Sequence, residues 1–427
     1  MARNRSFHRA WVVMIGCCFL LMSLALVTTC MTFFLQPVSE DLGFSRASFS
    51  IYYSIAALVG VFAMPVWGRI IPKLGIKLSV AIAGGVGAAF MAAFSLCRSL
   101  IAFYICGLGM GIMIAGMTML PASILINTWF QEKRGLAMGI VMASSGVGGA
   151  IFSPILASII ANLGWQIGYI ANGIAMAVLT VPTALFLLKG SPAQMGLVPY
   201  GASEVSASGV NNGSKKQTTG VAAGVAMKSA SFFLLAIAVV LLNVLASFSQ
   251  HLQPHLVQIG LEATAAAGLI SIYMLVVIGA KILLGIVNDR FGSVSALLFT
   301  AILWSAGFVV LAIATNYQIA LIGIILFGFG IAVVTVMPPL ITGQMFGQRD
   351  YSAIWSVIGA LSSLGLAIGT PIIGLVYDLV GSYTLAFYGS IVVLAVTFLL
   401  LVAGLKSAKK LTWTEMSQSE DTVPKGI

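Results

Sequence analysis

The chain has 427 residues; 60% are hydrophobic, 7% are charged, and the net charge is +10. A soluble domain carries about 25% charged residues, so a water-soluble globule is excluded: the polar surface is too small to cover this much apolar side chain. The five cysteines, Cys17, Cys18, Cys30, Cys97 and Cys106, show no metal-ligand spacing with a histidine and read as small apolar packing residues.

Apolar stretches recur along the sequence, and one of about 20 residues crosses about 30 Å of hydrocarbon as a helix. They predict twelve transmembrane helices, at 11–35, 48–68, 78–97, 100–126, 136–161, 166–188, 231–253, 264–287, 294–314, 318–340, 353–377 and 384–405. The first is too long for a secretory leader, and no small-residue cleavage site follows it. With the N-terminus inside, eighteen Lys and Arg residues fall in cytoplasmic segments and two, Arg46 and Arg98, in external ones. That bias orients the chain with both termini cytoplasmic. It accounts for the net positive charge as topology and contact with anionic lipid, not nucleic-acid binding.

Leu35, Gln36 and Pro37 return 217 positions later as Leu252, Gln253 and Pro254. The same offset relates Gly43 to Gly260, Gly68 to Gly285, Gly75 to Gly292, Gly111 to Gly328, Pro121 to Pro338, Gly148 to Gly365, Pro154 to Pro371 and Gly164 to Gly381. Glycine and proline answer to backbone needs, so one offset held over this length indicates an internal duplication. The expected organisation is an N-terminal six-helix bundle (1–188), a flexible cytoplasmic linker rich in Ser, Gly and Ala (189–228), and a C-terminal six-helix bundle with a short tail (229–427). Parallel six-helix repeats suit alternating access, in which two half-bodies rock about a central site.

The loop expected after helix 8, Gly285 to Gly292, reads GIVNDRFG. It resembles the inter-helix signature of the major facilitator superfamily, which follows helix 2 and is echoed after helix 8. The resemblance implies an all-α membrane fold of twelve helices in two pseudo-symmetric bundles. It also implies a cytoplasmic latch, with glycines for close approach and an aspartate facing the positive end of a neighbouring helix. After helix 2 the sequence from Gly68 to Lys77 is GRIIPKLGIK, with Pro72 at the aspartate position. Gating is therefore expected to rest on Gly285, Asp289 and Arg290, with Arg134 opposite, more than on Gly68 and Lys73. A simple turn cap is the competing role for Asp289. Three stretches, Pro121–Gly139, Ser191–Gly201 and Asp41–Ser50, are similar to segments of the monocarboxylate porters and of their bacterial oxalate/formate-exchanger relatives. The bacterial-type segments suggest an inner membrane.

Sorting ionisable groups by depth isolates one residue. All eleven acids and every base except Lys281 lie at helix ends, in loops or in tails. Lys281 stands eight residues before Asp289, about 12 Å along a helix. A lysine at mid-helix costs about 2.5–3.5 kcal/mol to insert. No acid on helix 8 or the neighbouring spans is placed to pair with it, so a substrate carboxylate is the expected partner. A lysine snorkelling along a pore wall is the alternative.

In the families resembled, a basic residue of helix 8, usually arginine, binds substrate at the matching position; lysine lacks the guanidinium fork. Their other ionisable positions are here Val277, Thr28 and Ile358, the last three residues after Trp355. One cation instead of two argues for a monocarboxylate. In this fold helices 1, 4, 7 and 10 line the cavity, which adds Thr28, Thr29, Thr118, Asn243, Ser247, Gln250, His251 and Thr335 as candidate contacts. Tyr273, two turns before Lys281, and Trp355 join them. Each hydroxyl or amide can instead bond its own helix. With no buried carboxylate, Lys281 and His251 are the candidate proton carriers, so proton symport and anion exchange both stand. The expectation is a secondary transporter of small monocarboxylate anions, monomeric, without cofactor or metal. An exporter of hydrophobic compounds, its cavity walled by Met110, Met113, Met117 and Met119, is the alternative. No paired carboxylates, metal cluster, nucleophile with a base, or nucleotide motif points to an enzyme or an ATP-driven pump.

Overall fold

The structure is a computed structural model describing residues 8–202, 219–411 and 414–415. Among these, ten helices are long and apolar enough to cross a membrane. Two of the ten, α7 (Arg134–Pro182) and α11 (Ala263–Ala312), are each interrupted by one non-helical glycine, Gly164 (φ 85°, ψ 164°) and Gly292 (φ 81°, ψ 167°). Each is thereby divided into two helical lengths, so the ten helices supply twelve such lengths.

The internal offset is visible in the backbone. Gly43 and Gly260 (φ 70° and 91°), Gly75 and Gly292 (79° and 81°), and Gly164 and Gly381 (85° and 73°) all take positive φ, a region that disfavours side chains. The proline repeats are visible too. Helix 1, expected to reach residue 35, ends as α1 (Arg9–Val27); a 3₁₀ turn, Cys30–Phe34, leads into α2 (Leu35–Leu42). In the second half α9 (Ala230–Ala246) gives way to the 3₁₀ turn Ser247–Gln250 and to α10 (Leu252–Gln258). Proline has no N–H to continue a helix but is tolerated in a first turn. Restarting the helix at Leu35 and at Leu252 puts Pro37 and Pro254 there.

The same logic corrects helix 4. It divides at Thr118 (φ −116°, ψ −107°) into α5 (Leu100–Met117) and α6 (Met119–Trp129), with Pro121 in the first turn of α6. Helix 10 divides at Ala332 into α12 (Tyr317–Ile331) and α13 (Val333–Phe346). The remaining crossings are α3 (Arg46–Leu74), α4 (Ile76–Ala93), α14 (Tyr351–Val380) and α15 (Thr384–Ala408). The stretch Gly285–Phe291, expected as a loop, is helical; the chain turns only at Gly292.

Two seams join the sequence halves: α7 packs on α11, and α3 packs on α14. The close approaches pair Gly135, Gly139 and Gly146 with Gly285, Lys281 and Ile278, and Gly68 and Met64 with Ser356 and Gly359. They run inward from the end that carries Lys73, Lys133, Arg134 and Arg290, called here the basic face. Towards the opposite face, α1 and α2 share no packed interface with α9 and α10 among the described residues. The molecule is thus closed at the basic face and parted at the other.

The segment between the halves is tied down where it is described. Tyr200 accepts at its carbonyl from the Gln131 amide (2.9 Å), its own amide donates to the Trp129 carbonyl (2.8 Å), and the Trp129 indole donates to the Lys189 carbonyl (2.8 Å). Further on, Thr219–Gly220 pairs antiparallel with Thr414–Glu415, and α8 (Ala223–Ala226) follows. The centre of the expected linker, residues 203–218, lies outside the described residues.

Candidate functional site

Asp289 closes the basic face from the last turn of α11 before Gly292. Its carboxylate accepts from the first amides of α7, Gly135 (2.7 Å) and Leu136 (2.8 Å). Helix N-termini leave such amides unsatisfied and carry partial positive charge, so a carboxylate fits both needs. Lys133, in left-handed conformation (φ 54°), starts α7 so that these amides face α11. Gly285 and Gly135 touch backbone to backbone, and a side chain on either would collide with the other helix. Arg134 makes no hydrogen bond to the carboxylate, its Nε donating to the Phe130 carbonyl at 2.9 Å, but the Asp289 charge acts on its guanidinium from across the seam. Arg290 is exposed.

The other seam is its counterpart without the acid. Gly68 packs against Ser352 and Ser356 of α14, and Ser352 lies 217 positions after Gly135. Pro72 and Lys73 are exposed, and proline brings no carboxylate to the first turn of α14. Asp350, just before α14, accepts instead from the Ala223 amide of α8 at 2.8 Å. A polar clasp takes the place of the missing acid. Asn127 of α6 donates from Nδ2 to the Tyr351 hydroxyl (3.0 Å), which donates to the Pro339 carbonyl (3.0 Å). Gln348 donates back across the gap to the Asn127 carbonyl (2.7 Å).

Lys281 lies deeper in the α7–α11 seam. Gly139 packs against its carbonyl, which brings the helices close enough for its ammonium to reach across. Nζ donates to the Met142 carbonyl of α7 at 3.2 Å. That oxygen already accepts from the Ser145 hydroxyl at 3.0 Å. No charged group acts on the ammonium among the described residues. An ammonium has three donors, and this half-buried one has a single shared carbonyl as its partner among the described residues. Withdrawing an ion from water without a counter-ion is costly, and an anion arriving beside the half-buried Lys281 offsets that cost.

The other candidate residues divide. Tyr273 neighbours Ser249 and stands 5.9 Å, centroid to centroid, from Phe327. The Trp355 indole N–H and the Thr335 hydroxyl are buried without a hydrogen-bond partner. Thr29 and Gln250 are exposed at the parted face. Thr28, Thr118 and Asn243 each bond a carbonyl of their own helix, those of Leu24, Ile114 and Val239, and Ser247 bonds that of Val244. His251 contacts the Thr370 carbonyl (3.1 Å) and the Tyr383 hydroxyl (3.4 Å), away from Lys281. Met110 and Met117 are buried in the helix core. Sequence reasoning missed Asn127, Tyr351, Gln348 and the Met142 carbonyl. Asn127 carried a signal, an amide in an apolar stretch two residues before Trp129. A backbone acceptor carries none.

Known proteins resemble the chain in sequence and in fold. A model of the family described as Major Facilitator Superfamily matches residues 15–280 and 229–420. Monocarboxylate transporter 12 of Xenopus laevis is 23% identical over 414 residues, covering 90% of this chain and 87% of the relative. The oxalate:formate antiporter of Oxalobacter formigenes is 28% identical over 197 residues, 45% of this chain and 44% of the relative. Among solved structures, the proton:xylose symporter XylE superposes with a TM-score of 0.71 at 12% identity, covering 95% of this chain and 96% of that one. The transporter FucP in the outward conformation gives 0.68 at 14%, covering 93% and 99%.

Proposed function

The chain belongs to the Major Facilitator Superfamily, and we propose that within it the protein is a secondary transporter of small monocarboxylate anions working by alternating access. The observation that carries this reading is the Lys281 ammonium, bonded across the seam to the Met142 carbonyl at 3.2 Å and paired with no acid among the described residues. A carboxylate is a stronger partner for an ammonium than a carbonyl is. Substrate binding therefore draws Nζ off α7, loosening the α7–α11 seam while neutralising the half-buried charge. Both effects favour opening of the basic face once the cargo is aboard. The names of the relatives, monocarboxylate transporter 12 and oxalate:formate antiporter, support the chemistry. A single cation favours one carboxylate over two.

Residues 1–188 and 229–427 are assigned as the two rocking bundles, joined through 189–228. The basic face is assigned to the cytoplasm of a bacterial cell, so the parted state faces outward. Around Lys281 we assign Tyr273, Thr335 and Trp355 as polar neighbours of the cargo, with Thr29 and Gln250 at the mouth. Transport runs as proton symport or as anion exchange. Uptake of labelled lactate, pyruvate, formate and oxalate into proteoliposomes tests the reading, with Lys281→Gln and Lys281→Arg in parallel. One-carboxylate anions move, and Lys281→Gln abolishes that movement. Movement of hydrophobic compounds alone would replace the reading with that of an exporter.

A further inference from the structure

We propose that a crevice at the basic face, between α11 beyond Gly292, the end of α13 and the end of α15, binds the phosphodiester headgroup of an anionic membrane lipid. The crevice measures about 870 Å³ and is lined by Val294, Gln344, Val402, Leu405, Lys406 and Lys409, with no acid in its wall among the described residues. Lys406 lies in the last turn of the membrane-crossing helix α15, and Lys409 is its C-cap. Residues three apart share a helix face, so both ammonium groups lie on the same side, at the depth where lipid headgroups meet water. Neither makes a hydrogen bond or ion pair among the described residues. Val402 and Leu405 lie up to a turn deeper, towards the bilayer.

The opposite wall has the same gradient. Gln344 shares a hydrogen bond with the Ser293 hydroxyl at 2.7 Å, and its amide is exposed at the rim. Val294 beside it is apolar and 46% exposed. Cations and an amide at the rim, with branched apolar side chains below, complement an amphiphile with an anionic head. Free phosphate would use the rim and leave the apolar lower wall in water. Basic pockets between transmembrane helices are the sites at which anionic headgroups are captured.

The test uses the full chain, released from vesicles of equal phosphatidylglycerol and phosphatidylcholine content and weighed with its retained lipid by native mass spectrometry. The wild type retains phosphatidylglycerol in excess. Lys406→Gln and Lys409→Gln each lower the excess by about fivefold, the effect of one surface lysine on anionic lipid. Val402→Trp, which fills the crevice without changing charge, lowers it as well. Lys410→Gln, outside the lining, leaves it unchanged. An excess that survives the double lysine substitution overturns the proposal, as does an equal loss in Lys410→Gln. Complete displacement of the lipid by inorganic phosphate overturns it in favour of a free-anion site. Retention only after removal of residues 416–427 overturns it in favour of the chain's own acidic tail.

Discussion

Replacing Asp289 by alanine isolates the contact that closes the basic face. The substitution removes two hydrogen bonds, to Gly135 (2.7 Å) and Leu136 (2.8 Å), and strands two amides at a helix start. Loss of a capping side chain costs about 0.5–2 kcal/mol. Asp289 is exposed, so water recovers part of that, and about 1 kcal/mol is the expected net effect. It acts only on the state in which α7 and α11 meet. The equilibrium therefore moves about fivefold towards an open basic face. Pulsed electron resonance between spin labels at Lys77 and Lys410, both exposed at that face, reads the two populations directly. Asp289→Asn, with one acceptor and no charge, falls between wild type and alanine. Pro72→Asp, which supplies the missing acid below the first turn of α14, shifts the populations the other way. An unchanged distance distribution in Asp289→Ala, in protein of unchanged melting temperature, refutes the reasoning.

Gly135→Ala places a methyl against the Gly285 carbonyl and the Asp289 carboxylate; overpacking of about 1–3 kcal/mol opens the basic face in the same distance measurement. Tyr351→Phe removes the hydroxyl that links Asn127 to Pro339 and speeds exchange between the two states, seen as faster counterflow. His255, on the short helix α10 outside the spans, donates from Nε2 to the Leu311 carbonyl at 2.9 Å, its Nδ1 is buried without a partner, and burial lowers its pKa from the usual 6.5. The unfolded chain then binds the proton more readily than the folded one. Stability from this residue is full above about pH 6.5 and falls as pH drops below it. Melting temperatures at pH 7.5 and 5.5 differ less in His255→Gln than in the wild type.

Much of the fold was legible because lipid imposes a coarse code of length and apolarity. The repeated LQP stretch was legible because proline constrains the backbone the same way in both halves. Helix ends were less so. Val27 is followed by a 3₁₀ turn and Thr118 by a proline in the next first turn, which hydropathy does not register, and the break at Ala332 has neither. At the site, Lys281 stood out because a buried charge is costly. Its acceptor could not, since the Met142 carbonyl becomes available only through the Gly139 contact between helices far apart in sequence. Thr118 and Asn243 show the limit of composition: a polar side chain in a membrane helix has its own backbone carbonyls within reach.

The central claim is that the cargo supplies the counter-ion of Lys281. Equilibrium binding of a labelled monocarboxylate to the purified protein, wild type against Lys281→Gln and Lys281→Arg, tests it most directly. The account predicts saturable binding that Lys281→Gln loses and Lys281→Arg retains at least in part. Equal affinity in wild type and Lys281→Gln would contradict it.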